Sequence, residues 1–108
     1  MKLSSVFRNK YIGDYHNYIN KKQGNQTIQE FFFDKKINFT MGTEGSAERL
    51  SFYSEHSLRV GAEIRNVKDS RGINIFPEGY YSITNAQPIV NVFNNISGYK
   101  YRAIRILE

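Results

Sequence analysis

The chain has no cysteine and no tryptophan, and only two prolines among its 108 residues. Without cysteine there is no disulfide, no thiolate metal site and no cysteine nucleophile. Such a composition suits a reducing compartment. No stretch approaches the roughly 20 apolar residues that a membrane-spanning helix needs. The opening "MKLSSVF" begins like a secretory leader, but Arg8, Asn9 and Lys10 end its apolar run early. A cytosolic product is therefore expected. Long runs of one charge are also missing, since no basic run exceeds two residues (Lys21-Lys22 and Lys35-Lys36).

What is present is aromatic and apolar. Eight Tyr and eight Phe make up 15% of the chain, and apolar residues reach 40%. That content supports a packed core and excludes disorder. The length suits one domain, residues 1–108, with a short N-terminal segment. The formal net charge is +5. Residues 1–54 hold eight Lys/Arg against five Asp/Glu, an excess of +3; residues 55–108 hold seven against five, an excess of +2. So even a spread is neither a basic tail nor a polybasic membrane patch.

Alternation of period two dominates the pattern. "LRVGAEIR" puts Leu58, Val60, Ala62 and Ile64 on one face, as a half-buried strand would. "KINFTM" does the same with Ile37, Phe39 and Met41, and "GYYSITN" with Tyr81 and Ile83. "PIVNVF" is apolar on both faces, as a covered strand would be. "TIQEFFF" is rich in strand formers without a clear parity. The expected inward set is Phe39, Leu58, Val60, Ile64, Tyr81, Ile83 and Val90. Turn chemistry separates the runs at "KKQGN", "GTEGS", "KDSRG", "PEG" and "NNISG". Helix is scarce. "SAERLSFYSE" is open between helix and strand, because Ser46 is followed by Arg49 where a capping box carries Glu or Gln. Residues 2–9 allow one short helical turn. The expectation is an all-β protein: a small single-domain β-barrel of six to seven short strands.

Sites for chemistry are sparse. His16 sits in "DYHNY" two residues after Asp14, and His56 stands alone. Neither comes with a second cluster of ligands, so both are assigned structural or surface roles. There is no Gly-x-Ser-x-Gly, Walker loop or dinucleotide fingerprint. Asp69, ahead of Ser70, fits a turn. Three Asn-x-Ser/Thr triplets, at Asn25, Asn38 and Asn95, are what chance gives in an Asn-rich chain. No enzyme activity and no cofactor are expected.

The closing "GYKYRAIRIL" mixes rings with positive charge at Tyr99, Lys100, Tyr101, Arg102 and Arg105. Outward, those side chains would stack on bases and neutralise phosphates. Inward, Tyr99 and Tyr101 would belong to a core with Lys100 and Arg102 in water, and that arrangement is favoured. Tyr101 and Ile104 have opposite parity, so a bulge is expected near Arg102 or Ala103.

Laid in order, the runs "YIGDYHNYI", "KKQGN", "TIQEFFFDKKINFTM", "GTEGSAE", "LRVGAEIRNV", "GYYSITNAQPI" and "GYKYRAIRI" resemble the head-completion proteins of the tailed-bacteriophage neck. These are the head-closure or head–tail joining family. Gly79, Tyr81 and Ile83, followed by a Pro and "YRAIRI", carry most of the resemblance. It implies a small β-barrel that forms a homo-oligomeric ring in the virion neck. The ring lies below the portal and adaptor, closes or extends the DNA exit channel, and offers the tail terminator its attachment surface. Genomic DNA would pass without specific binding, and no membrane would be involved. Gly42, Thr43, Glu44, Gly45, Ser46, Ala47 and Glu48 would form a mobile loop on the channel or partner side. The isolated chain would be monomeric or weakly associated. The alternatives are a β-barrel for single-stranded nucleic acid, using the aromatic and basic residues of the closing segment, and an adjacent tail-terminator or tail-completion protein.

Overall fold

A computed structural model describes residues 10–45, 49–75 and 78–107, with backbone alone for 42–45. Six strands account for most of it: β1 (Lys10–Gln23), β2 (Gln26–Gly45), β3 (Arg49–Ser54), β4 (Glu63–Asp69), β5 (Tyr80–Val90) and β6 (Ile96–Ile106). Each pairs antiparallel with its neighbours, and the order β1-β2-β3-β6-β5-β4 closes on itself as a barrel. No helix occurs among the described residues. The all-β barrel expected from alternation is the fold, with six strands. Not all are short, however: β2 runs for 20 residues and β1 for 14. The only turn signal between Lys10 and Met41 is at Gly24-Asn25, so the chain reverses there once and otherwise stays extended.

The core lies inside the barrel. Ile37, Phe39, Phe52, Ile64, Tyr81, Ile83 and Tyr101 are all at most 3% exposed. Rings form a row across it: Tyr11, Phe39, Phe52, Tyr101 and Tyr99, with successive centroids 6.0, 5.0, 5.1 and 5.9 Å apart. Such offset and tilted contacts add to what burial alone contributes. Met41 packs against this core from its rim.

The β3–β4 connection, residues 55–62, is held by tyrosines. The Tyr101 hydroxyl accepts from Leu58 N at 2.7 Å and donates to His56 O at 2.6 Å. Tyr15 Oη accepts from Arg59 N, and Tyr18 Oη donates to Val60 O, both at 2.9 Å. The Arg59 guanidinium lies 3.9 Å from the Tyr18 ring centroid. This bonding explains a departure from the alternation of "LRVGAEIR". Leu58, Ala62 and Ile64 are inside, but Val60 is 47% exposed and β4 starts only at Glu63. Gly61 has φ 93°, a conformation that breaks the strand and turns Val60 outward.

Gly79 has φ 78°, and a side chain there would collide with the Ile106 carbonyl, so glycine is required where β5 begins. "KDSRG" turns as expected, with Asp69 Oδ1 accepting from the amides of Arg71 and Ile73. The β5–β6 turn falls at Asn91–Asn95, a few residues before "NNISG" is complete. The bulge expected in the closing segment near Arg102 or Ala103 is absent from β6 and lies in the partner strand instead, so the phase change is not absorbed. Register shifts between Ile83 and Asn85 of β5, opposite Arg102 and Ala103, while β3 pairs with β6 without a break. Ile104 accordingly faces out at 40% exposure. "SAERLSFYSE" resolves as strand over Arg49–Ser54, while residues 46–48 and the segment 2–9 lie outside the described residues.

The barrel is shorter than its longest strands. β4 pairs with β1 over Tyr11–His16, and β3 meets β2 only at Thr40, Met41 and Gly45. Beyond those points β1 and β2 have only each other, and they project as an arm. β5 meets β4 through just Glu63↔Ser82 and Ile64↔Tyr81, and β3 leaves β6 at Tyr99. Asn85–Val90 and Ile96–Gly98 therefore form a second arm. These arms stretch the molecule to 58 × 36 × 23 Å.

Candidate functional site

The closing segment is divided between core and surface. Tyr101 is fully buried with its hydroxyl occupied, Tyr99 is half-buried against the core, and Arg102 is exposed. Tyr101 cannot stack on a base without leaving the barrel. Lys100 Nζ lies 5.8 Å from the Tyr53 ring centroid, and an Arg105 amino group donates to Glu78 O at 3.3 Å. Burial raises the Tyr101 hydroxyl above its ordinary pKa, and does the same for Tyr15 and Tyr81. The five residues suggested for nucleic acid thus do not form one outward platform.

The segment suggested as a loop is also rearranged. Gly42, Thr43, Glu44 and Gly45 continue the backbone of β2, instead of forming a loop. Register slips between Met41 and Gly45, so the strand bulges widely before Gly45 meets Leu50. Ser46, Ala47 and Glu48 lie outside the described residues. The turn residues around position 42 gave way to a bulge because β3 needs partners on both sides.

His16 stacks edge-on against Phe33 at 5.7 Å, and His56 is half-buried. No group of three His, Cys, Asp or Glu side chains that could hold a metal exists among the described residues.

What the fold brings forward instead is apolar surface on the two arms. On the first, cross-strand pairs place Phe33 beside His16 and Phe31 beside Tyr18 on one face, with Phe32 and Ile19 on the other. Phe31, Phe32 and Phe33 are 37–53% exposed. The parity of "TIQEFFF" is settled by pairing with β1, but among the described residues no third strand covers either face. Polar groups rim this arm, including a Lys21–Glu30 ion pair at 2.6 Å.

The second arm corrects the reading of "PIVNVF" as covered. Val90 is 50% exposed, Val92 93% and Phe93 79%. Neither β3 nor β4 extends far enough to cover them. The tip is well ordered by bonding. Asn91 Oδ1 accepts from the amides of Phe93 and Asn95, Asn91 N donates to Asn95 O, and Asn94 takes φ 64°. Asparagine tolerates that left-handed geometry and caps such turns with its side chain. The tip therefore holds Val92 and Phe93 outward. Residues 80–99 contain no charged side chain at all. That run, with Asn91 and Asn95 bracketing two apolar residues, was the available sequence signal.

Where the second arm leaves the barrel there is a cleft of about 960 Å³. Tyr11, Ile12, Phe39, Tyr53, Ile89 and Tyr99 give it an apolar lining; Lys10, Glu55 and His56 also border it. No family model, curated protein or solved structure matches the chain.

Proposed function

We propose that this protein is a structural subunit of the neck of a tailed bacteriophage, assembled as a homo-oligomeric ring at the head–tail interface of the virion. The ring lies below the portal and adaptor, closes or extends the DNA exit channel, and carries the attachment surface for the tail terminator. The observation that carries this reading is the pair of hairpin arms, whose Phe31–Phe33 and Val92–Phe93 are left exposed by the described residues. Exposed apolar patches of this kind mark surfaces for protein partners. A small rigid barrel with such arms is suited to assembly, and the resemblance described above supplies the particular assembly. The end of β2 and the residues that follow it, 42–48, belong on this reading to the channel or partner side. The dispersed excess of +5 lets DNA slide past without a grip.

The test is a virion preparation lacking this chain. Heads that package DNA but leak it or fail to join tails, together with density for the chain in the wild-type neck, are the expected result. Complete, infectious particles without the chain would overturn the proposal.

A further inference from the structure

We propose that the tip of the β5–β6 arm, Val92 and Phe93, docks into the cleft at the root of the same arm on a second copy of this chain. This rests on the ring reading given above and names the contact by which neighbouring copies join.

The tip calls for an apolar socket. Its two apolar side chains are the most exposed large hydrophobic residues among those described, at 93% and 79%. They are fixed outward by the Asn91 hydrogen bonds, so little order has to be bought on docking. The arm carries no charge between Tyr80 and Tyr99. It offers phosphates no cation, and a lipid surface no basic flank.

The cleft fits the tip. Its volume, about 960 Å³, accommodates the Val92 and Phe93 side chains together with part of the turn backbone. Tyr11, Tyr53 and Tyr99 offer partly exposed rings over the buried Phe39, and Asn38, Ser54 and Ser97 border the cleft with polar groups. The tip does not fill its own cleft. It lies beyond Ile89 on the far side of the root, and Phe93 remains exposed.

Pro88 lies in β5 opposite Tyr99 and has no amide hydrogen to offer an added strand, which weakens the β5 edge of the arm as a joining element and favours contact through side chains at the tip.

The size of the contact accounts for assembly without a stable pair. A buried aromatic covers about 150–250 Å². Phe93, Val92 and the adjoining Val90 and Ile96 thus bury on the order of 400 Å² on one partner, or about 800 Å² in total, short of the roughly 1,200 Å² of a stable interface. One such contact is weak. In a ring each copy makes two, head to tail, and closure stabilises the whole.

The absence of cysteine gives a clean background for a cross-linking test on the full chain. Ile12 is 45% exposed and borders the cleft, and Asn95 is exposed at the tip beside Val92 and Phe93, so Ile12→Cys and Asn95→Cys place thiols at the two sides of the contact while leaving both docking side chains in place. Mixing the two single variants at high protein concentration and oxidising should give several-fold more hybrid cross-link than mixing Ile12→Cys with Gln23→Cys, at the tip of the other arm. The double variant should give a ladder of oligomers. Hybrid no stronger than the Gln23 control, Asn95→Cys joining only to itself, or a double variant that stops at dimers would overturn the contact. Far-ultraviolet circular dichroism of each variant confirms that the barrel is intact. The neck reading fails separately, by the absence of the chain from the virion.

Discussion

The barrel and the arms are made of the same kind of sequence and end in opposite environments. "KINFTM" and "PIVNVF" are comparably rich in strand formers, yet Phe39 is 3% exposed and Phe93 79%. The difference is the number of strands alongside. Phe39 sits where β1, β2 and β3 come together, while Phe93 lies past the ends of β3 and β4. Strand propensity and alternation describe how a segment meets its immediate neighbour; burial depends on how far the other strands extend.

The largest test of that contrast is a pair of truncations. Phe52 is fully buried between Phe39 and Tyr101. Phe52→Ala should cost about 3–5 kcal/mol through lost transfer energy and the cavity left behind. Phe93→Ala should change stability by no more than about 0.5 kcal/mol, as an exposed substitution does. Urea unfolding of both variants measures this, and similar costs would mean that the arm is packed in solution.

Next in size is the tyrosine bonding that ties the 55–62 connection to the barrel. Tyr101→Phe keeps the ring and leaves Leu58 N and His56 O without their partner. The expected loss is about 1–3 kcal/mol, the cost of unsatisfied buried groups. Alkaline unfolding gives a second readout. Burial raises the hydroxyls of Tyr15, Tyr81 and Tyr101, so the folded state keeps protons that the unfolded state releases. Their contribution is complete below about pH 10 and is lost as pH rises through the raised values. Tyr101→Phe should make that alkaline decline shallower.

The barrel was legible because its strands carry one-sided alternation. Ile37, Phe39, Tyr81 and Ile83 all fall inside as period two requires. Val60 and Val90 do not, for different reasons. Val60 is turned out by the left-handed Gly61, and no pattern of apolar residues encodes the sign of φ. Val90 lies on an arm, and the reach of β3 and β4 is set by distant turns. The arms were therefore read as ordinary strands, and the cleft, which draws on five different strands, left no local trace in the sequence. Val60→Ala sharpens the point: it should be nearly neutral, where an inward valine would open a cavity. Urea midpoints for Val60→Ala and the buried Val67→Ala should therefore separate clearly.

The smallest expected effect concerns a bulge at the barrel wall. Register between β1 and β4 slips between Ile12 and Asp14, and Asn66 opposite takes φ 55°. Left-handed backbone in a strand needs a local partner. Asn66 Nδ2 donates to Asp14 Oδ2 at 2.8 Å, and Lys36 Nζ donates to Asp14 Oδ1 at 3.2 Å. Burial alone would push the Asp14 carboxyl up, but the Asn66 and Lys36 hydrogen bonds and the Lys36 charge outweigh it, and the group sits below its ordinary value. A depressed carboxylate stabilises the fold above its unfolded pKa of about 3.9, and this contribution is lost as pH falls through the folded value. The Lys36 partner is largely exposed, so the contribution is modest. Asp14→Asn keeps an oxygen for Asn66 but removes the titration. Thermal unfolding should show Asp14→Asn slightly less stable than the wild type at pH 7 and the two converging toward pH 3, so that the acid decline of the variant is shallower. An unchanged acid limb would mean that Asn66 holds its bulge without help from the Asp14 charge.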